Sequence, residues 1–292
     1  MNLQLLVLTV LKASIGLSVL ALGLAESFSN AIFLFRRPAE LARVLLSMNV
    51  LTPVMAVALA LMLPLQPAVK IALVTISVSP VAPFYPWGAF KAGGRRDYTI
   101  GLMAATAMLS LAVIPIAMKV LARVFHLPLH TPTNFIARLV FVTVVGPLLA
   151  GIALHSMAPA FAKRIAKPLN IFALALMILS LLPILFRSLP TMWVLLGNGT
   201  LLSMAGLALG GYLIGYLIEK PRPENRRVLG LANASRHPAI AAVIAHANFP
   251  QQKLVLPSII LYLLVSALVT NVAVKQVGAK KPPREPEQRL AA

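Results

Sequence analysis

Within one otherwise apolar run, Asn233-Ala-Ser-Arg236-His237-Pro238 gathers an amide, a hydroxyl, a guanidinium and an imidazole. A guanidinium is a permanent cation with five donors in a planar fork, a shape that suits a carboxylate. Placing such a charge in hydrocarbon costs about 2.5–3.5 kcal/mol on insertion scales, so it calls for a role or a partner. Three readings of Arg236 stand side by side. It holds an anion in a polar cavity, helped by the helix N-terminus after Pro238; it satisfies backbone carbonyls left open elsewhere; or it reaches to a membrane surface. Asn233 lies one helical turn before Arg236, and His237 beside it, so both join it as candidate substrate-binding residues. No catalytic, cofactor or metal group is expected. The chain has no cysteine and no Gly-x-Ser-x-Gly, His-Glu-x-x-His or phosphate-loop pattern, so enzyme chemistry has nothing to stand on.

The acids point the same way. All seven, Glu26, Glu40, Asp97, Glu219, Glu224, Glu285 and Glu287, fall in loops, at ends of apolar runs or in the tail. No carboxylate is placed at a bilayer midplane to hold a hard cation or relay a proton. A sodium site would have to be built from carbonyls and hydroxyls alone, which is possible but unusual, so little dependence on sodium is expected.

The elements that must position these residues are membrane helices. Hydrophobic residues make up 59% of the chain and charged ones 11%. A soluble globule of this size cannot hide so much apolar surface, so the lipid bilayer is the solvent. Nine apolar stretches are legible, with soft bounds: 3–24, 41–63, 68–90, 98–121, 135–157, 169–186, 200–218, 228–249 and 254–274. The first has no preceding positive charge and holds Lys12 inside it, so it reads as a retained helix rather than a signal peptide. The fold class expected is an all-α integral membrane protein in one transmembrane domain, 1–275, followed by a basic tail, 276–292.

A net charge of +19 does not signal nucleic acid here. Alternate loops and the tail carry 18 Lys and Arg, while the intervening loops carry 6. The rich loops face the cytoplasm, so the N-terminus is expected outside and the C-terminus inside. An inserted or missing span would break that alternation.

Two of the nine stretches differ from the rest. The third contains Pro80-Val-Ala-Pro83-Phe-Tyr-Pro86-Trp-Gly88, and the eighth contains the Arg236 group. Proline lacks an N–H and clashes with the carbonyl four residues back, so continuous helix is not expected in either. Carbonyls at Ile76, Ser79, Ala82 and Ala234 lose their usual partners. They need protein, water or ligand in their place. Paired interrupted helices in two related halves are a sequence pointer to a transporter binding site. Stretches one to four and six to nine can be laid side by side as two repeats, about 1–121 and 135–275. Ser79, Pro80 and Pro83 thus join the candidate site. Thr75, Ser77, Thr106, Ser110 and Asn271 are further candidates to line a cavity.

Several features resemble the bile acid:sodium symporter family. Gly16 and Gly23-Leu24, followed by Leu34-Phe35-Arg36-Arg37-Pro38, look like its second helix and the next loop, and Pro53 fits its third helix. The stretch from Pro80 through Lys91-Ala-Gly-Gly looks like its first crossover helix. Gly230-Leu-Ala-Asn233 with Ala239-Ile-Ala-Ala-Val-Ile-Ala-His246 looks like its second. The resemblance implies ten helices in two inverted repeats, the first of which has no counterpart here. It also locates the family's ion ligands, and this chain departs at most of them: Val228 and Ala232 stand at the glutamate and glutamine positions and Tyr85-Pro86 at a Ser-Asn pair, while Asn233 alone of the crossover amides persists. Asn49, next to Met48, stands near a polar position of the third helix. The resemblance adds Tyr85 and Asn49 to the candidate substrate-binding residues.

The function expected is secondary transport of a small organic anion by alternating access in the cell inner membrane. An auxin-carrier-like efflux carrier and a non-transporting sensor or scaffold with the same fold are the alternatives.

Overall fold

A computed structural model describes residues 3–82, 85–124, 135, 138, 141–220 and 222–278. Pro83 and the tail beyond Gly278 lie outside them. Among the described residues the regular structure is helical, joined by short turns, with one isolated β-bridge.

Among the described residues eleven helices, besides one turn at Phe28–Ala31, carry the fold. They are α1 Leu3–Ala25, α2 Pro38–Met62, α3 Pro67–Val78, α4 Tyr85–Lys91 and α5 Arg96–Val124. Then follow α6 Phe141–Met157, α7 Pro159–Leu195, α8 Thr200–Ile218, α9 Pro223–Ala234, α10 Pro238–Asn248 and α11 Val255–Gly278. Five are long and apolar enough to cross a membrane, and four shorter apolar helices lie in the remaining stretches. One of these lies in each of the nine stretches expected from sequence, and most of 135–140, the start of the fifth, lies outside the described residues.

Two boundaries are corrected. The sixth stretch is not 169–186 but part of a 37-residue helix from Pro159. Pro159 sits in the first turn, where its missing N–H costs nothing, and Lys163, Arg164 and Lys167 are good helix formers that hydropathy overlooks. Likewise α9 begins at Pro223 rather than Val228, which puts Arg226 and Arg227 on a helix rather than in a loop.

Two groups of helices result. One is α1 with α6 and α7. Its closest approach is at Gly23 and Gly151, where a Cβ on Gly23 would lie 2.5 Å from the Leu148 carbonyl oxygen. Only glycine lets these backbones meet. In the second group α2, α5, α8, α10 and α11 pack on α3, which is buried from Ala68 almost without interruption to Val78, and α9 joins through α8. A helix apolar on all sides belongs in such a centre. At the basic end, ion pairs tie this group together. Arg43 donates to Glu219 at 3.0 Å, and Glu40 receives Arg37 at 3.1 Å and Arg222 at 3.7 Å.

Candidate functional site

The site begins where the two interrupted helices cross. α3 stops at Val78 because Ser79 turns extended before Pro80, and α9 stops at Ala234 before Pro238 opens α10. The freed backbone groups find each other. The His237 N–H donates to the Pro80 carbonyl at 2.9 Å, and the Ala82 N–H donates to the Ser235 carbonyl at 2.9 Å. Val81 and Arg236 thereby form an antiparallel bridge. The other carbonyls expected to lose partners are also met. Ile76 accepts from the Ser79 hydroxyl at 2.7 Å, Ala82 from the Tyr85 N–H at 3.1 Å, and Ala234 from the Tyr262 hydroxyl at 3.3 Å. The Tyr85 hydroxyl donates to Val228 at 2.9 Å.

A third defect lies in α2. Residues Leu46–Leu51 form a π-turn in which the Thr52 N–H donates to Ser47. In that register the next donor would be Pro53, which has no N–H. The Met48 carbonyl is left without a helical partner, and Arg236 supplies one, Nη2 donating at 2.7 Å.

Arg236 is 3% exposed. Its Nη1 donates to the Ser79 carbonyl at 3.0 Å, and its Nε donates to the Asn233 carbonyl at 3.1 Å. Nη2 also approaches Asn233 Oδ1 at 3.3 Å. Asn233 is held in turn: its Nδ2 donates to Ser47 Oγ at 2.5 Å and to the Leu229 carbonyl at 3.1 Å. Thr52 Oγ1 lies 2.8 Å from both Asn233 Oδ1 and the Ser47 carbonyl, and its single hydrogen serves one at a time. Every hydrogen-bond partner of the guanidinium is therefore a neutral oxygen, drawn from α2 and both interruptions. This is a cation in a cage of oxygen dipoles.

On the other side of the crossing, between the two helix groups, lies a cavity of about 660 Å³. At the crossing it is lined by Pro80, Val81, His237 and Ile240. α1 presents Ser18 and Leu22, Glu26 follows its end, and α5 presents Arg96, Ile100 and Met103. α7 presents Lys163, Lys167 and Asn170, at the i, i+4, i+7 spacing of one helical face. Arg96 reaches Glu26 at 2.9 Å, whereas neither lysine has an ion-pair partner among the described residues. The basic end thus carries three cations against one carboxylate, above apolar walls.

The expected site residues separate into two sets. Pro80 and His237 face the cavity. Ser79, Asn233 and Arg236 form the buried network, with Tyr85 bracing α9, and none of these four lines the cavity. Asn49 is half-buried and lines nothing here; its neighbours Ser47 and Met48 make the contacts instead. Thr75, Ser77, Thr106 and Ser110 do not line the cavity either, because each hydroxyl bonds back to a carbonyl of its own helix. Sequence reasoning missed Ser18, Glu26, Arg96, Lys163, Lys167 and Asn170. The spacing on α7 was the available signal, hidden by reading its first turns as a loop.

No curated protein matches the sequence. The family model for the sodium bile acid symporter family matches residues 7–189, more than half of the 292-residue chain. The match takes in the cavity faces of α1, α5 and α7 and the first interrupted helix. Multi-pass helical architecture, a crossing of two interrupted helices and this match agree: the chain belongs to the sodium bile acid symporter family of membrane transporters.

Proposed function

We propose that this protein moves a small organic anion across the cell inner membrane by alternating access, without drawing on sodium. The observation that carries the reading is the cavity itself. It lies between two helix groups, ends on the paired interruptions, and joins apolar walls to a cationic rim. An amphipathic anion matches that distribution. The loop charges orient the basic end to the cytoplasm, with the N-terminus outside and the C-terminus inside. The two halves, about 1–121 and 135–275, would be the repeats that rock about the crossing, and 276–292 a cytoplasmic tail.

Arg236 supports the absence of sodium. A ring of carbonyls is what a protein uses to replace the hydration shell of a bare cation. Here a tethered guanidinium occupies the ring. Its charge cannot leave with the cargo, which favours exchange or facilitated flux over ion-driven accumulation. Arg236 then acts on the anion through its field, and His237 and Pro80 through contact.

The test is saturable uptake of labelled alicyclic and aryl carboxylates into proteoliposomes, in sodium chloride and in choline chloride. The expected result is uptake that differs by less than twofold between the two salts. A tenfold fall in choline would restore sodium coupling, equivalent to about 1.4 kcal/mol of linkage. Absence of saturable uptake in both would leave the sensor or scaffold reading.

A further inference from the structure

The two helix groups are parted along half of their shared face and packed shut along the rest. On α1 the cavity is lined as far back as Ser18, and beyond it Ile15 and Leu11 are buried. On α5 it is lined from Arg96 to Ala107, and Ile114 and Met118 beyond are buried. On α7 the lining ends at Ile171, and Met177 beyond is buried in the same apolar cluster. Alternating access has to open that seal and close the basic end of the cavity.

Closure meets an obstacle of charge. Arg96 opens α5, in the second group, whereas Lys163 and Lys167 lie in the first turns of α7, in the first. Bringing the groups together at this end moves like charges towards one another and strips water from them, and both steps cost free energy. Among the described residues no carboxylate pairs with either lysine. Glu26, the one acid in the cavity lining, has both oxygens engaged: one receives Arg96 at 2.9 Å and the other receives Asn30 Nδ2 at 3.1 Å. Nor is it free to shift. The chain that follows it is seated on α5, where a Cβ on Gly101 would lie 3.0 Å from the Phe33 Cβ and 3.2 Å from the Asn30 carbonyl oxygen.

We infer that Arg96, Lys163 and Lys167 form an electrostatic interlock: the empty carrier is held from closing its basic end by their repulsion, and a bound anion releases it by lying between them. Net movement of cargo requires the empty carrier to return, whereas exchange does not. The interlock therefore makes the protein an exchanger rather than a facilitator of net flux. It rests on the organic-anion reading and adds the control of its cycle.

Efflux of a permanently charged probe, 4-cyclohexylbenzenesulfonate, tests the interlock. A sulfonate stays ionised near neutral pH, so the probe does not leak as a neutral acid. Proteoliposomes of the full chain are loaded with labelled probe, with valinomycin and equal potassium gluconate on both sides to prevent charge build-up. Efflux is followed into buffer with and without unlabelled probe. External probe should speed wild-type efflux about tenfold, the effect of a barrier lower by about 1.4 kcal/mol. Lys163→Gln with Lys167→Gln should raise efflux into probe-free buffer, so that the ratio of the two rates falls to near one. Lost folding lowers both rates and faster release raises both, so neither mimics a collapse of the ratio. Asn170→Asp keeps both lysines and places a carboxylate on their face of α7; it should also raise probe-free efflux and lower the ratio. Arg164→Gln removes a neighbouring cation that is not part of the cavity lining and should leave the ratio as in the wild type. A wild-type ratio near one, or a high ratio that survives in either cavity variant, overturns the interlock and leaves the anion carrier standing. If the wild type releases no probe into either buffer, the organic-anion reading fails and the interlock falls with it.

Discussion

Arg236 is held by oxygens that carry no charge, and that sets what its removal does. Truncation leaves the carbonyls of Met48, Ser79 and Asn233 and the Asn233 amide oxygen without their donor in a water-poor interior. Arg236→Ala is expected to lower folding stability by about 3 kcal/mol or more. The same variant exposes an oxygen set suited to a small hard cation. Its melting temperature in detergent should therefore rise when sodium chloride replaces choline chloride, while the wild type should not respond. Arg236→Lys keeps the charge but concentrates it on one nitrogen, without the planar fork that spans three carbonyls. It should melt between the two and also ignore sodium. If wild type and Arg236→Ala respond alike to sodium, the guanidinium does not stand in for an ion. The sequence showed that Arg236 needed a partner. It could not show which, because the Met48 carbonyl is freed by a π-turn and a proline in a different helix, a tertiary fact with no local signature. Ser18 was hidden for a similar reason. A serine that bonds to its own helix and one that does not look identical in sequence.

At the scale of the helix, proline is a weaker signal than it first looks. α7 runs unbroken through Pro168, Pro183 and Pro190, whereas α3 and α9 stop. The interruptions persist because they pair with each other: without the Pro80–His237 and Ser235–Ala82 bonds, four backbone groups would be orphaned. The apolar stretches themselves were legible because a bilayer demands about 20 apolar residues per span. The helical extensions into water at Pro159 and Pro223 were not, because nothing in hydropathy separates a polar helix end from a loop. Glycines on α8 give a test of how tightly the network is clamped. A Cβ at Gly215 would lie 2.5 Å from Asn233 Nδ2 and 2.6 Å from the Leu229 carbonyl oxygen, whereas one at Gly206 would meet only Leu59 methyls at 3.8 Å. Gly215→Ala should push α8 from α9 and cost about 1–3 kcal/mol. Gly206→Ala should be neutral or gain up to about 1 kcal/mol from helix propensity. Thermal unfolding of both variants in detergent measures the contrast, and similar shifts would mean that the α8–α9 contact is not under constraint.

Across the whole molecule, the charge alternation and the cavity make one joint claim about orientation. The dense basic groups include Arg36, Arg37 and Arg43, then Lys91, Arg95 and Arg96, then Lys163, Arg164 and Lys167, then Lys220, Arg222, Arg226 and Arg227. Three members of these groups, Arg96, Lys163 and Lys167, also form the cationic end of the cavity. The residues that would orient the chain in the membrane are thus partly those that would attract its cargo. If the basic groups face the cytoplasm, the cationic end of the cavity faces it too, and the conformation described here presents its anion-attracting end inward. Cysteine accessibility tests this directly, because the chain has no native cysteine. Single cysteines at Gly93 and Gln66 stand in opposite sets of loops. In intact cells a membrane-impermeant maleimide should label Gln66→Cys and spare Gly93→Cys until the membrane is opened. A third cysteine at Pro250 should behave like that at Gln66. Labelling of Gly93→Cys in intact cells would invert the topology, place the cationic end of the cavity outside, and turn the inward-facing carrier into an outward-facing one.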